Sequence, residues 1–233
     1  MTVFEHLGGP REAMAQGTAQ DWGERTSADL NTIALECAMM PGTRALSRLA
    51  GLPDEAFEHY GQLTKREVRA ATLAKLAPLP GETLWDIGSG SGSIAIEWLR
   101  AADGVAAIAV EQNPQRASVI ARNATTLGVP GLRIIAGAAP DAIAGLPQPD
   151  AVFVGGGIGD PGMLPALWAA LRPGGRLVAN VVSIEGERAV LDWQARCGGE
   201  LTRIAVSRCE KLGGHHAWRP LISVTQLAAT KPC

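Results

Sequence analysis

The stretch that most limits what this chain can fold into runs from Leu84 to Glu97, Leu-Trp-Asp-Ile-Gly-Ser-Gly-Ser-Gly-Ser-Ile-Ala-Ile-Glu. A short apolar run (Leu84, Trp85, Ile87) enters a loop with glycine at every second position, Gly88, Gly90 and Gly92. An apolar-periodic segment, Ile94 to Leu99, leaves it. The order reads as strand, glycine loop, helix. Glycine lets a ligand approach the main chain. The helix that follows turns unpaired N–H groups and a positive dipole end toward that ligand. Such a loop holds a nucleotide-like cofactor.

Strands and helices alternate beyond it. Val105 to Val110 reads as a second strand ending at Glu111, and Asn113-Pro114 starts a helix through Leu127. Leu132 to Ile135 is a third strand, closed by Ala136-Gly-Ala-Ala-Pro140. Asp150 to Val154 is a fourth, closed by Gly155-Gly-Gly157. A helix over Pro161 to Leu171 stops at Pro173-Gly-Gly175, and Arg176 to Val182 is a fifth strand before a helix over Glu185 to Cys197. This alternation implies a parallel sheet covered on both faces, with ligands outside the carboxyl ends of its strands. Upstream, Thr64 three residues before Glu67 predicts a capping box, with Val68, Ala71 and Leu76 as the helix's apolar stripe and Pro78 and Pro80 as its stop. At the other end Leu201 to Arg208 and Pro220 to Leu227 are strand-like with no helix between them, so an antiparallel pair is expected, joined by the loop Cys209 to Arg219.

The expected fold is α/β, a Rossmann-like, mostly parallel sheet with a C-terminal antiparallel hairpin. It resembles the seven-stranded sheet of class I S-adenosylmethionine-dependent methyltransferases. The loop agrees with that resemblance. A dinucleotide fingerprint needs a third glycine where this chain has Ser93. A P-loop needs a Gly-Lys-Ser/Thr that is absent. The pattern here, Asp86-x-Gly88-x-Gly90-x-Gly92, carries an acid two places before the first glycine. Glu111 ends the second strand about twenty residues on, where a carboxylate accepts hydrogen bonds from both ribose hydroxyls.

Composition excludes several classes. The 233 residues carry 21 Lys and Arg against 23 Asp and Glu, a net charge of −2, which disfavours a general nucleic-acid surface. No stretch has the length of a membrane-spanning helix and no signal peptide opens the sequence, so cytoplasm is the expected compartment. Cys37, Cys197, Cys209 and Cys233 are scattered without metal-ligand spacing, so reduced thiols and no metal are expected. The first residues stand apart. Phe4 to Arg11 reads as a loop leading into a short helix near Glu12, and Ile33-Ala-Leu-Glu-Cys37 as one strand-like run. A lone strand needs a partner. Residues 1–58 are either a poorly ordered extension or the tail of another domain, and 59–233 form the cofactor-binding domain.

Taken in order, Gly61-Gln-Leu-Thr-Lys-Arg-Glu-Val-Arg69, Leu84 to Ser93, Glu111-Gln-Asn-Pro114, Gly137-Ala-Ala-Pro140, Val154-Gly-Gly-Gly157 and Arg172-Pro-Gly-Gly-Arg176 resemble the decarboxylating precorrin-6Y methyltransferases of cobalamin biosynthesis, over about Leu52 to Pro232. The resemblance implies methylation of carbon 15 of the macrocycle, loss of carbon dioxide from the acetate on carbon 12, and a homotetramer. It implies S-adenosylmethionine contacts from Thr64, Gly88, Ser89, Gly90, Ser91, Gly92, Glu111 and Ala139, with Asp86 behind the loop. In aerobic organisms this module is often the C-terminal half of a fusion whose first half methylates carbon 5. Phe4 to Glu12 and Leu30 to Cys37 resemble the closing segments of that half, so residues 1–58 are expected to be its stub, without carbon-5 activity.

The chemistry needs one acid or base near the ring. Candidates are His215 and His216 in the hairpin loop and Glu185 after the fifth strand. Arg208, Lys211 and Arg219 flank that loop and are candidates for the carboxylates of an anionic tetrapyrrole. Two other readings stay open: a methyltransferase of RNA or protein, and a non-catalytic cofactor-binding subunit. The first lacks the Asn/Asp-Pro-Pro-aromatic turn after the fourth strand, where Gly155-Gly-Gly157 stands.

Overall fold

The computed structural model describes residues 1–39, 42 and 45–233. The chain divides into two compact units, Met1–Leu46 and Ser47–Cys233. The first is a three-stranded antiparallel sheet of β1 (Thr2–Glu5), β2 (Ala13–Gln16) and β3 (Asn31–Ala34), with β1 in the centre. Two expectations change here. The segment after Glu12 is a strand, because Gly8 and Gly9 make a turn that the Glu12 carboxylate closes by accepting from the Gly8 N–H at 2.6 Å. The run around Ile33 has a partner in β1.

The second unit contains, in order, α1 (Arg66–Leu76), β4 (Thr83–Ile87), α2 (Ser93–Ala101), β5 (Ala106–Glu111), α3 (Pro114–Thr126), β6 (Arg133–Ala136), β7 (Ala151–Val154), α4 (Met163–Ala170), β8 (Arg176–Val181), α5 (Ile184–Cys197), β9 (Glu200–Ile204), β10 (Ser207–Leu212), β11 (His215–Pro220) and β12 (Val224–Thr230). Its sheet runs β6-β5-β4-β7-β8-β12-β9. The first five strands of that order are parallel, and β12 lies antiparallel between β8 and β9. This is the sheet expected from the alternation. Trp85, Ile87, Val110, Val152, Val154, Leu177 and Leu227 fill its core, with Leu167 and Leu171 from the α4 side.

The C-terminal connection differs from a single long loop. The chain leaves the main sheet after Ile204, and β10 and β11 form a two-stranded sheet of their own. Gly213, at φ +59°, supplies the left-handed turn position between them. The chain then returns through Leu221 and Ile222 to β12.

The boundary also falls earlier than residue 58. Segment 51–58 belongs to the larger unit, held by polar links rather than by apolar periodicity. Glu97 of α2 accepts from the Gly51 and Leu52 N–H groups at 2.6 and 3.0 Å. Arg69 of α1, fully buried, pairs with Glu97 at 2.6 Å and Asp54 at 3.1 Å, and its guanidinium stacks over Phe57. Among the described residues no helix is long and apolar enough to cross a membrane, and no group of three or more His, Cys, Asp or Glu is placed to hold a metal ion.

Candidate active site

The glycine loop leaves the carboxyl end of β4 at the centre of the sheet. The Gly88 and Ser89 N–H groups donate to the Val110 carbonyl at 2.9 and 3.2 Å, tying the loop to β5. Asp86 braces it from beneath. One carboxylate oxygen accepts from Ser89 Oγ at 2.7 Å and from the Ala95 N–H at 3.1 Å, joining loop and helix start. Asp86 is wholly buried. Burial pushes its carboxyl from the usual 3.8 up to about 6; the Ser89 and Ala95 bonds oppose this, and the Glu111 charge adds to it.

Two glycines of the loop do different jobs. Gly88 has φ +67°, and a Cβ there would lie 2.7 Å from the Gly156 nitrogen, so the loops after β4 and β7 pass backbone against backbone. Gly90 has φ +62°, and a Cβ there would meet nothing nearer than the Gln62 carbonyl at 3.9 Å. Its open side is a cavity of about 880 Å³.

Glu111, at the end of β5, is 2% exposed. Its two oxygens accept from the Gly90 and Asn113 N–H groups, each at 2.9 Å. Each oxygen keeps a further lone pair, and the residue lines the cavity. Ser91 Oγ is buried there without a hydrogen-bond partner among the described residues. An open backbone face, a carboxylate with spare acceptor capacity and an unsatisfied hydroxyl suit a nucleoside cofactor such as S-adenosylmethionine. Thr64, Gly88, Ser89, Gly90, Ser91, Glu111 and Ala139 all line the cavity. Asp86 and Gly92 lie behind the wall; a Cβ on Gly92 would strike Ile120 of α3 at 2.8 Å.

The capping box does not form. Lys65, not Thr64, is the N-cap of α1, and no side chain caps the helix. The Thr64 carbonyl instead accepts from the buried Arg69 guanidinium, and Glu67 pairs with Arg208 at 2.7 Å. Arg69 thereby fixes the Gln62 to Lys65 strip along the cavity wall.

The six candidates for proton handling and substrate carboxylates are not in that wall. Arg208 is engaged by Glu67 and by Asp54 at 2.9 Å. Asp54 is raised by burial but more strongly lowered by Arg208 and Arg69, and stays below the usual carboxylate range. Arg219 pairs with Glu210 across the small sheet, while Lys211, His215 and His216 stand exposed on it. Glu185 is exposed in the first turn of α5. The described cations that do line the cavity are Lys65 and Arg116. The far wall is apolar, with Val182, Ile204, Val206, Leu221 and Ile222, and carries the Asn180 amide. Asn180 left a trace in the sequence, a single amide inside the run Leu177-Val-Ala-Asn-Val-Val182.

The sheet order, the antiparallel strand inserted before the last, and the loop with glycine at alternate positions at the crevice define a class I methyltransferase fold. Comparison with known proteins narrows this. The model of the precorrin methyltransferase domain family matches residues 55–231, and the chain belongs to that family. A Sinorhizobium precorrin-6Y C(5,15)-methyltransferase (decarboxylating) is 50% identical over 231 residues, covering 99% of this chain and 56% of the relative. The chain thus spans little more than half that relative's length. A Salmonella typhimurium cobalt-precorrin-6B C(15)-methyltransferase (decarboxylating) is 33% identical, covering 72% of this chain and 89% of the relative. The crystal structure of the C-terminal domain of precorrin-6Y C5,15-methyltransferase from Rhodobacter capsulatus superposes with a TM-score of 0.75 at 44% identity, covering 80% of this chain and all of that one.

Proposed function

We propose that this chain uses S-adenosylmethionine to methylate carbon 15 of a precorrin of the 6Y/6B type and removes carbon dioxide from the acetate on carbon 12. The observation that carries this reading is the two-ended cavity, with a glycine-and-carboxylate cradle at one end and an apolar wall at the other. The names of the Sinorhizobium and Salmonella relatives support the substrate. S-adenosylmethionine supplies, when bound, a methyl group already activated on sulfonium sulfur. The chain's own work is alignment and exclusion of water. Glu111 accepts from the ribose hydroxyls, the backbone from Gly88 to Gly92 approaches the methionine portion, and Thr64 and Ala139 close the sides.

Decarboxylation needs an electron sink, and the conjugated macrocycle takes the pair left by the breaking C–C bond, so no metal is called for. Lys65 and Arg116 are the cations available to anionic groups inside the cavity. His215, His216 and Glu185 lie outside it, which leaves the proton-handling role to groups of the wall itself. Residues 1–46 are read as the closing segment of a carbon-5 methylase half, a reading consistent with the Sinorhizobium match across nearly the whole chain. The same reading has an anionic tetrapyrrole rather than nucleic acid as partner and the cytoplasm as compartment. Its assembly is a homo-oligomer.

Transfer of labelled methyl from S-adenosylmethionine to precorrin-6B by the purified chain tests the reading. Cofactor binding without transfer would favour a non-catalytic subunit, and transfer to RNA but not to the tetrapyrrole would overturn the substrate.

A further inference from the structure

The far wall of the cavity holds one feature that a purely apolar surface does not need. Asn180, near the carboxyl end of β8, is locked by two buried side chains. Its Nδ2 donates to Thr72 Oγ1 at 2.8 Å, and its Oδ1 accepts from Gln226 Nε2 at 2.9 Å. Gln226 Nε2 also donates to Thr72 Oγ1 at 3.1 Å, and the Thr72 hydroxyl donates to the Val68 carbonyl at 2.8 Å. Thr72 and Gln226 are 0% and 1% exposed.

This network sets the direction of the amide. The Thr72 proton goes to Val68, so its oxygen is an acceptor for both amides. Turning Asn180 over would face its nitrogen to the Gln226 nitrogen and leave its oxygen against an oxygen with no proton to give. The amide is therefore held with both outer positions defined, and the second Nδ2 N–H has no partner among the described residues. Thr72 comes from α1, Asn180 from β8 and Gln226 from β12, so three elements of the sheet-and-helix frame fix one amide. Thr72 and Gln226 are buried and fix the amide, while Asn180 itself is half-buried and lines the cavity, so its remaining N–H is available to a ligand there.

We propose that Asn180 is a substrate-binding residue whose free N–H donates to a carboxylate of the tetrapyrrole, orienting the macrocycle against the methyl donor. This assignment rests on the proposed function. Its consequences differ from those of a cofactor contact, because the cradle of Gly88 to Gly92 and Glu111 hangs on β4 and β5, with β7 between them and β8. An amide donor also suits a carboxylate that must leave as carbon dioxide. It holds the group in place without the full charge pairing that a lysine or arginine would give to the ground state.

The test compares Asn180→Asp, Asn180→Ala and Gln226→Met with the wild-type chain. Binding of S-adenosylhomocysteine and of precorrin-6B is measured separately by titration, without relying on turnover. For Asn180→Asp the tetrapyrrole Kd is expected to rise roughly tenfold or more, because a donor to a carboxylate becomes a like charge. Asn180→Ala should show a smaller rise. Gln226→Met, which removes the brace and keeps the donor, should weaken tetrapyrrole binding by about threefold through the freed amide. S-adenosylhomocysteine Kd should stay within about twofold throughout, which also verifies folding. Unchanged tetrapyrrole binding by Asn180→Asp would overturn the assignment, as would equal loss of both ligands in Asn180→Ala and Gln226→Met. A wild-type chain that binds S-adenosylhomocysteine but no tetrapyrrole overturns the substrate reading and takes this assignment with it.

Discussion

Two substitutions in one loop separate the cost of backbone strain from the loss of a ligand surface. Gly88 and Gly90 have nearly the same backbone angles, φ +67° and +62°. Alanine at either position pays the left-handed penalty of about 1–2 kcal/mol. At Gly90 the added methyl enters open space, so strain is the whole folding cost. At Gly88 it would sit 2.7 Å from a nitrogen and 2.8 Å from the Cα of Gly156, both backbone atoms that cannot rotate away. Overpacking adds about 1–3 kcal/mol there. For a unit of this size 1 kcal/mol moves Tm by roughly 2–4 °C. Gly90→Ala should therefore melt roughly 2–8 °C below wild type, and Gly88→Ala roughly 4–20 °C below. Cofactor binding follows a different rule. The Gly90 methyl occupies the space a ligand needs to reach the loop backbone, so S-adenosylmethionine affinity should fall by about tenfold or more although the fold survives. Differential scanning fluorimetry and calorimetric titration read the two quantities independently. A Gly90→Ala chain that binds the cofactor as tightly as wild type would refute the cradle. A Gly88→Ala chain as stable as Gly90→Ala would refute the close crossing of the two loops.

Three further outcomes follow from the same geometry. Glu111→Ala removes the acceptor for the Gly90 N–H and the one proposed for the ribose, and should weaken S-adenosylmethionine by at least about tenfold in the same titration. Arg69→Met leaves Glu97 buried without its cation and Asp54 with Arg208 alone, and should cost about 3–5 kcal/mol, read by urea unfolding; a loss below about 1 kcal/mol would mean that the buried network does not anchor segment 51–58. Asp86 has its carboxyl raised to about 6, so between pH 4 and 6 the folded chain binds more protons than the unfolded one, and this group's contribution to stability falls as pH rises through that window, by roughly 3 kcal/mol in all. Asp86→Asn should flatten that part of the pH–stability curve, and an unchanged slope would show that the carboxyl titrates normally.

The frame of the fold was legible because its signals are local. Strands and helices alternate from Leu84, and an acid stands at the end of β5. What was missed depends on distant partners. The Thr64–Glu67 pattern reads as a capping box in isolation, but Arg69, paired with Asp54 and Glu97, takes the Thr64 carbonyl, and Arg208, 141 residues from Glu67, takes its carboxylate. Arg208 was a candidate for substrate because nothing in its own neighbourhood discloses those two acids. Asn180 is, in the sequence, only a single amide inside the strand Arg176 to Val182. Its meaning comes from Thr72, 108 residues away, and Gln226, 46 residues away. The small sheet of β10 and β11 escaped notice because its residues are mostly exposed and carry no apolar alternation.

On the proposed function, one cavity couples methyl transfer to decarboxylation. Incubating the purified chain with precorrin-6B and S-adenosylmethionine carrying a carbon-13 methyl, followed by NMR of the product and measurement of released carbon dioxide, tests it directly. The expected result is label at carbon 15 and carbon dioxide in equal amount. Label at another carbon, or a methylated product that keeps its carbon-12 acetate, would contradict it.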